Sequence, residues 1–309
     1  MSKKIDTWIK LNRDFIIKLR EWLHQNPELG FEEHKTSKYL KTILEEKGYS
    51  IVQNKDMKTG FYCDYGSEGP ILALRTDMDA LEVLEENYDK KYRSKNEGVM
   101  HACGHDAHMT ILTSLAVFLK ENNISVNGTV RFIFQPAEEQ APGGAISMIK
   151  GKAIDLVDSI IGSHVLPKLE AGKVAIKYGP IAATVELIDI TLEGAGGHTS
   201  RPNESVDLIW AQSQLVHFLE QSLNHGIDKQ EPVVLAFGKI EGGTTHNVLP
   251  SQVKLSGTLR YLNPKIKELL YKKINDSIKN VMNLSNAKIK WKSNYTCPGV
   301  VNDNKITDL

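Results

Sequence analysis

The sequence concentrates side chains that bind metals and transfer protons in residues 101–108, HACGHDAH. Cysteine and histidine are ligands for borderline-soft divalent ions such as zinc, and the Cys-x-His spacing allows one tight turn to direct both side chains at one ion. A lone Cys-x-His is also compatible with a small buried thiol and hydrogen-bonded histidines. Ligands elsewhere in the chain decide between these two interpretations.

Further carboxylate and imidazole side chains follow short apolar runs that we predict to be strands. Polar groups at the carboxyl ends of parallel strands meet at one edge of a sheet, where they line a ligand crevice. Candidate ligands on separate elements of one sheet favour a shared metal site over independent structural roles. The residues at these ends are Asp77, Glu138, Glu139 and His164, which join Cys103 and His105 as candidates.

The adjacent carboxylates Glu138 and Glu139 suggest a division of roles. Successive side chains of a strand point to opposite faces, but the backbone turn at a strand end lets both reach one cavity. One carboxylate would then bind the ion while the other takes a proton from water. A carboxylate pair facing solvent is the alternative, and Pro136 with the apolar run before it makes a plain surface loop less favoured.

Apolar periodicity predicts that the N-terminal half alternates helices with short buried strands. Such alternation is typical of an α/β fold with a mixed, largely parallel sheet flanked by helices. The dipeptide Asn26-Pro27 ends the first predicted helix, and Gly48 ends the second. The predicted helices are residues 6–25, 32–46 and 106–120, and the predicted strands are residues 60–65, 71–74, 130–134 and 159–162.

The pattern changes near residue 180, after which residues 185–192 alternate apolar with polar side chains, as in a half-buried strand. The predicted order from there is strand, helix, strand, strand, helix, strand, which is typical of a ferredoxin-like α+β domain. We therefore expect residues 180–292 to form an inserted domain, and residues 1–179 plus 293–309 to form the metal-binding catalytic domain. The elements after the first strand are predicted at residues 206–223, 233–240, 253–259, 264–282 and 287–291.

The composition indicates a globular protein without nucleic acid or membrane partners. Its 309 residues include 38 basic and 38 acidic side chains, so no net charge attracts a polyanion. No apolar run reaches membrane-spanning length, and the N-terminal segment lacks an apolar signal core. The three cysteines, Cys63, Cys103 and Cys297, are widely spaced, which favours a reducing compartment and therefore a cytoplasmic location.

Several motifs in one order resemble the M20 metallopeptidase family. The closest resemblance is to its amidohydrolase branch, which includes aminoacylases, hippurate hydrolases, N-acetyl-diaminopimelate deacetylases and plant auxin-conjugate hydrolases. The resemblance runs from residues 23–29 to residues 298–303 and is more specific for the family than for the substrate. The motifs are HACGHD at 101–106, QPAEE at 135–139, His164-Val165, GGH at 196–198 with Arg201-Pro202, and GGTTHNVLP at 242–250.

The resemblance implies a metal-dependent amidohydrolase that cleaves the amide bond of N-acyl amino acids or small peptides. Glu138 matches the general base of the family, which acts on water activated by the metal, and Asp77 matches a carboxylate that orients a ligand. The family uses one or two divalent ions per subunit, which are zinc, manganese, cobalt or nickel. The implied metal ligands are Cys103, His105, Glu139 and His164, with Cys103 placed to bridge two ions.

For the second domain, the resemblance implies a homodimer in which His198 reaches the active site of the partner subunit. There it would stabilise the tetrahedral oxyanion. Asn247 and Arg260 are candidates for substrate binding, and Arg260 is suited to hold a carboxylate through a bidentate pair. Each of the three is also compatible with an ordinary loop or surface group. We interpret six further histidines as structural, namely His24, His34, His101, His108, His217 and His225.

Members of this branch continue past the position of Leu309 and supply another histidine ligand, whereas no histidine follows His246 here. We therefore expect a C-terminally truncated chain that lacks one ligand of a second ion. The alternative to an active enzyme is an impaired remnant that acts only as a dimerising or binding module. A redox protein centred on Cys103 is less favoured, because no partner cysteine lies nearby in the sequence.

Overall fold

The computed structural model describes residues 2–309, which form two compact units, one ending at Lys173 and the other spanning Val174–Leu309. The assignment of residues 1–179 plus 293–309 to a single domain stays a prediction. Within the described residues, no helix is both long enough and apolar enough to cross a membrane.

The predicted helix over residues 6–25 consists of two helices, α1 (Ser2–Leu11) and α2 (Arg13–Gln25). Asn12 separates them with a ψ of 17°, outside the helical range. Its backbone amide and its side-chain amide both donate to the carbonyl oxygen of Trp8 at 2.9 Å, so the break is confined to the dihedral angles of this one residue. The apolar periodicity continues through this break, so it does not reveal the interruption.

A mixed sheet of five strands forms the centre of the first unit. In chain order the strands are β1 (Ile51–Val52), β2 (Phe61–Gly66), β3 (Ile71–Asp77), β4 (Thr129–Gln135) and β5 (Val157–Gly162). In space the order is β1-β2-β4-β3-β5; β3 pairs parallel with β4 and β5, while β2 pairs antiparallel with β1 and β4. The prediction of a mixed sheet flanked by helices is confirmed, with parallel and antiparallel pairings in equal number.

The helices α3 (His34–Glu46), α4 (His105–Glu121) and α5 (Gly144–Lys150) complete the first unit. The sheet register brings the carboxyl ends of the parallel strands to one edge, because Asp77 at the end of β3 lies beside Gln135 at the end of β4. Strand β5 runs in the same direction on the other side of β3. The segments that follow all three strands therefore start from one edge of the sheet.

The elements of the second unit, in chain order, are β6 (Gly179–Pro180), β7 (Thr184–Glu193), β8 (Gly197–His198), α6 (Leu208–Gly226), β9 (Val233–Gly242), β10 (Val248–Leu249), β11 (Gln252–Tyr261), α7 (Lys267–Ser285), β12 (Lys288–Cys297), β13 (Val301–Asn302) and α8 (Asn304–Thr307). Four of these strands form an antiparallel sheet in the order β12-β7-β11-β9, whose core-facing side chains pack against α6 and α7. Along the chain, these elements follow the predicted order of strand, helix, strand, strand, helix, strand. Two short ribbons accompany the sheet, one joining β8 with β10 and one joining β6 with β13.

Strand β12 continues to Cys297, beyond its predicted end at residue 291. The added residues are mostly polar, and the register with β7 shifts between Ser293 and Tyr295. Because strand pairing uses backbone groups, a polar segment can extend a ladder where apolar periodicity has already ended. The sequence pattern therefore underestimated the length of this strand.

A buried carboxylate links the sheet of the second unit to α7. Glu186 of β7 has no exposed surface and accepts hydrogen bonds from the hydroxyls of Tyr261 and Tyr271 at 2.6 and 2.5 Å. The ammonium group of Lys267 lies 3.3 Å away. Burial raises the pKa of Glu186, but the two hydroxyl donors and the Lys267 charge together lower it by more. The net shift of the pKa is therefore downward.

We expect Glu186→Gln to lower the free energy of unfolding by about 1–2 kcal/mol at pH 7, because charge-assisted hydrogen bonds are replaced by neutral ones. A carboxyl group with a lowered folded-state pKa stabilises the fold above its ordinary value of 4.5 and loses that contribution as the pH falls through the folded value. The difference between wild type and variant should therefore shrink below pH 4.5. Denaturant titrations at several pH values measure it, with the exposed Glu268→Gln as the control. A difference independent of pH would contradict the ionic role.

Candidate metal-binding and catalytic site

The loop before α4 brings Cys103 and His105 next to the segment that follows β5. Gly104, between them, has a φ of 92°, in the left-handed region where glycine is favoured. A Cβ atom on this residue would lie 2.4 Å from Cγ2 of Val165. Gly104 therefore permits both the turn of the chain and the close approach of the segment that carries His164.

Cys103, His105 and His164 direct three candidate ligand atoms to one place. Sγ of Cys103 lies 3.2 Å from Nε2 of His164, and the three ligand atoms are all within 4.8 Å of one another. Nδ1 of His105 donates to the carbonyl oxygen of Asp79 at 2.8 Å, which leaves the lone pair of Nε2 available. This Nε2 atom is buried and has no hydrogen-bond partner among residues 2–309.

The turn after β4 brings Glu138 and Glu139 to the same cluster. Their carboxylates and the His105 ring lie within 4.8 Å of one another, and Oε1 of Glu139 is 3.8 Å from Nε2 of His105. The backbone amide of Glu139 donates to Oδ2 of Asp79 at 2.9 Å. Although Glu138 is exposed, partial desolvation of its carboxyl group and then repulsion from Glu139 raise its pKa.

The donor atoms of this cluster fit a divalent ion. Thiolate sulphur, imidazole nitrogen and carboxylate oxygen are the ligands that zinc prefers in proteins. Desolvation, followed by the hydrogen bond and charge of Glu139, raises the pKa of the Cys103 thiol to about 12. A thiolate at this position therefore requires a nearby positive charge. A bound cation would provide that charge and would also satisfy the unpartnered Nε2 of His105.

Asp77 and His108 form a buried pair beside the cluster. The amide of Val165 donates to Nε2 of His108 at 2.9 Å, so the ring proton is assigned to Nδ1, which donates to Oδ1 of Asp77 at 2.7 Å. Arg75 donates to the other oxygen of Asp77 at 2.8 Å. Burial raises the pKa of Asp77, but the contacts with His108 and Arg75 bring it down to about 2.

His108, predicted from the sequence to be structural, thus connects Asp77 to the segment after β5. Its position three residues after His105 places both rings on one face of α4. That spacing is a signal in the sequence that could have identified it. His101, by contrast, is buried and neither of its ring nitrogens has a hydrogen-bond partner within the described chain.

Replacing His108 with phenylalanine should lower the affinity for divalent metal by about 10- to 100-fold, as is typical when a group supporting a ligand is lost. The variant lacks both the acceptor for the Val165 amide and the donor to Asp77. Calorimetric titration of metal-free protein measures the affinity. The exposed His217→Phe on α6 is the matched control. An unchanged affinity in folded His108→Phe would contradict this role.

His198 and Asn247 lie close together in the second unit, where β8 pairs with β10. His198 is exposed, and its Nδ1 accepts hydrogen bonds from the amide and the hydroxyl of Ser200. Strand β11 begins at Gln252, shortly after β10, and Arg260 lies near its other end. At 3.3 Å per residue, Gln252 and Arg260 are about 26 Å apart along the strand. Within this unit the structure brings His198 and Asn247 together, but not Arg260. The roles of all three stay predictions.

Comparison with known proteins places these residues in a family context. Residues 73–309 match the model of peptidase family M20/M25/M40. N-acetyl-L-cysteine deacetylase of Bacillus subtilis (strain 168) is 38% identical over 299 residues, covering 95% of this chain and 70% of the relative. An N-acyl-L-amino acid amidohydrolase of Geobacillus stearothermophilus is 35% identical, covering 93% of this chain and 78% of the relative.

A solved structure agrees in fold over nearly the same extent. The dinuclear metal-binding peptidase of the M20 family from Bacillus subtilis superposes with a TM-score of 0.86 and 30% sequence identity. The similarity covers 97% of this chain and 78% of that structure.

Proposed function

Because the chain belongs to peptidase family M20/M25/M40, we propose that it is a metal-dependent amidohydrolase acting on N-acyl amino acids or small peptides. The observation that carries this proposal is the cluster in which Cys103, His105 and His164 meet Glu138 and Glu139 at one edge of the sheet. Soft and hard ligands beside an additional carboxylate are the components that metal-assisted hydrolysis of an amide requires.

Cys103, His105, Glu139 and His164 would hold the ion or ions in this mechanism. When bound, a divalent ion supplies Lewis-acid chemistry, which polarises the amide carbonyl and acidifies water. Glu138 takes the proton of the attacking water and delivers it to the nitrogen of the leaving amine. Its carboxylate lies close enough to His105 and Glu139 to act at the same reacting centre.

Asp79 and Asp77 orient the proposed ligands. The Asp79 carbonyl oxygen accepts from Nδ1 of His105, and its carboxylate accepts from the amide of Glu139. Asp79 therefore favours the tautomer of His105 that has a free Nε2, and it also fixes the backbone of Glu139. Asp77 has its carboxylate held by His108 and lies 3.7 Å from Nε2 of His105. The family resemblance implies this role for Asp77, whereas no sequence pattern indicates one for Asp79.

The second unit would form a homodimer and contribute His198 to the partner subunit's reaction centre. In support, β9 pairs only with β11 among the described strands, and its side chains Val234 and Ile240 are 54% and 55% exposed. His198 would stabilise the oxyanion, and Asn247 and Arg260 would bind substrate. Sedimentation analysis that gave a monomer would contradict this arrangement. A cytoplasmic location stays a prediction from the cysteine pattern.

The proposed reaction is tested on purified chain reconstituted separately with zinc, manganese, cobalt or nickel. We expect at least one metal form to release free amino acid from N-acetyl or N-benzoyl substrates, or from dipeptides, and a chelator to abolish the release. Metal content is measured on the same samples. Protein that retains metal but cleaves none of these substrates would contradict the proposal.

A further inference from the structure

Glu33 is a buried residue with no role in the proposed chemistry. Its carboxyl group contacts the turn that carries Glu138 and Glu139. Glu33 is fully buried, and its Oε1 accepts a hydrogen bond from the backbone amide of Ala137 at 2.8 Å. Its Oε2 accepts from the hydroxyl of Thr59 at 2.5 Å. Glu33 and Ala137 are 104 residues apart in the chain, so this contact exists only in the folded unit.

The turn at Ala137 needs support because its backbone is strained. Ala137 has a φ of 45°, in the left-handed region that costs a residue with a Cβ atom about 1–2 kcal/mol. Its carbonyl oxygen accepts from the amide of Gly144 at 2.8 Å. A Cβ atom on Gly144 would lie 1.8 Å from the carbonyl oxygen of Pro136. Surrounding contacts thus hold both sides of the Ala137 peptide in a conformation that it would not adopt alone.

The segment before α3 fits closely against this turn. A Cβ atom on Gly30 would lie 2.9 Å from Cβ of Ala137, and the carbonyl oxygen of Gly30 accepts from the side chain of Gln140 at 2.9 Å. Glu33 occupies the N-cap position of α3, yet its carboxylate makes no capping hydrogen bond to that helix. The carboxyl group of Glu33 therefore contacts the Ala137 turn and Thr59 rather than its own helix.

We propose that Glu33 is a positioning residue that holds the Ala137 amide and so sets the directions of Glu138 and Glu139. Its carboxyl oxygen is the acceptor for that amide, and the contact is buried. On the other side of the turn, Asp79 accepts from the amide of Glu139. The two catalytic-site carboxylates thus sit on a backbone fixed from both sides by acidic residues. The consequence for turnover rests on the proposed function, whereas the consequence for the turn does not.

The test compares variants that separate the two hydrogen bonds of Glu33. Glu33→Ala removes the acceptor for Ala137, and we expect metal affinity and kcat each to fall about 10- to 100-fold with KM changed less than about twofold. Hydrogen exchange at the Ala137 amide should accelerate at least about tenfold, measured on residues 136–140 by mass spectrometry. Glu33→Gln keeps an amide oxygen that can accept from Ala137, so its effects should stay within about threefold.

Thr59→Val is the matched control, because it removes the other donor to Glu33 and leaves the Ala137 contact intact. We expect it to lower stability without changing Ala137 exchange or metal affinity. If Glu33→Ala does not fold, the double variant Glu33→Leu with Thr59→Val replaces it. This variant removes both the carboxyl group of Glu33 and the Thr59 hydroxyl that donates to it, so no buried hydroxyl is left unpaired. It should show the same accelerated exchange and weakened metal binding.

Unchanged Ala137 exchange in folded Glu33→Ala or in the double variant would overturn the inference. Equal losses of metal affinity in Thr59→Val and Glu33→Ala would also overturn it, because they would indicate general destabilisation. A wild-type chain that cleaves no amide would count against the proposed function alone. In that case the exchange and metal-binding measurements still decide the role of Glu33.

Discussion

Replacing Glu138 with glutamine is expected to lower kcat for amide hydrolysis by about 10²- to 10⁴-fold, which is the usual contribution of general acid–base catalysis. Glutamine keeps the size of the side chain but cannot take a proton from water. The carboxylate of Glu138 lies within 4.8 Å of the ligand atoms of His105 and Glu139, so the loss would occur at the centre of the cluster. Steady-state kinetics on the best N-acyl amino acid measure the effect.

Metal content separates a role as base from a role as ligand. Glu138→Gln should retain the metal of the wild type, whereas Glu139→Gln should lose metal together with activity. Glu170→Gln provides a control for the chemical change, because this exposed carboxylate pairs only with Lys173 among the described salt bridges. Glu138→Gln with near wild-type kcat, or with its metal lost, would rule out the assignment of Glu138 as the base.

Replacing His105 with alanine is expected to weaken metal binding by more than about 100-fold. Loss of a group that merely supports a ligand typically costs 10- to 100-fold, and His105 is itself a proposed ligand. Its buried Nε2 has no partner among the described residues and lies near Asp77 and Glu139, at 3.7 and 3.8 Å. Activity should fall with the metal and should not recover at micromolar metal concentration.

Thermal stability provides a second measurement that does not depend on substrate. A metal present at about 100 times its Kd stabilises the folded state by about 2.7 kcal/mol, so a chelator should lower the Tm of the wild type. The Tm of His105→Ala should not respond to chelator, whereas the exposed His34→Ala on α3 should respond like the wild type. A variant that still binds metal with wild-type affinity would exclude His105 as a ligand.

Local patterns in the sequence were sufficient for most of the fold. Alternating side chains predicted β7 as a half-buried strand, and its residues are indeed buried at every second position. Short apolar runs predicted β3, β4 and β5, whose parallel register brings Asp77 and Gln135 together. Strand direction alone predicts that the segments after these strands start from one edge of the sheet. In the structure, Glu138 and His164 of these segments indeed lie close to His105.

Local patterns failed at element boundaries that burial does not set. The break between α1 and α2 lies in the dihedral angles of Asn12, although the apolar periodicity runs through it. The end of β12 depends on pairing with β7, which polar side chains do not prevent. Both errors concern boundaries, and neither changes the order of elements.

The contacts that orient the cluster could be found only after the chain was folded. Glu33 meets Ala137, and His108 meets both Asp77 and Val165, through contacts that join distant parts of the sequence. Residue types and spacing indicate which side chains can bind a metal or move a proton, because those abilities belong to the side chains themselves. Hydrogen-bond direction, tautomer and backbone strain depend on packing between segments, so the support of the site had to be read from the three-dimensional arrangement.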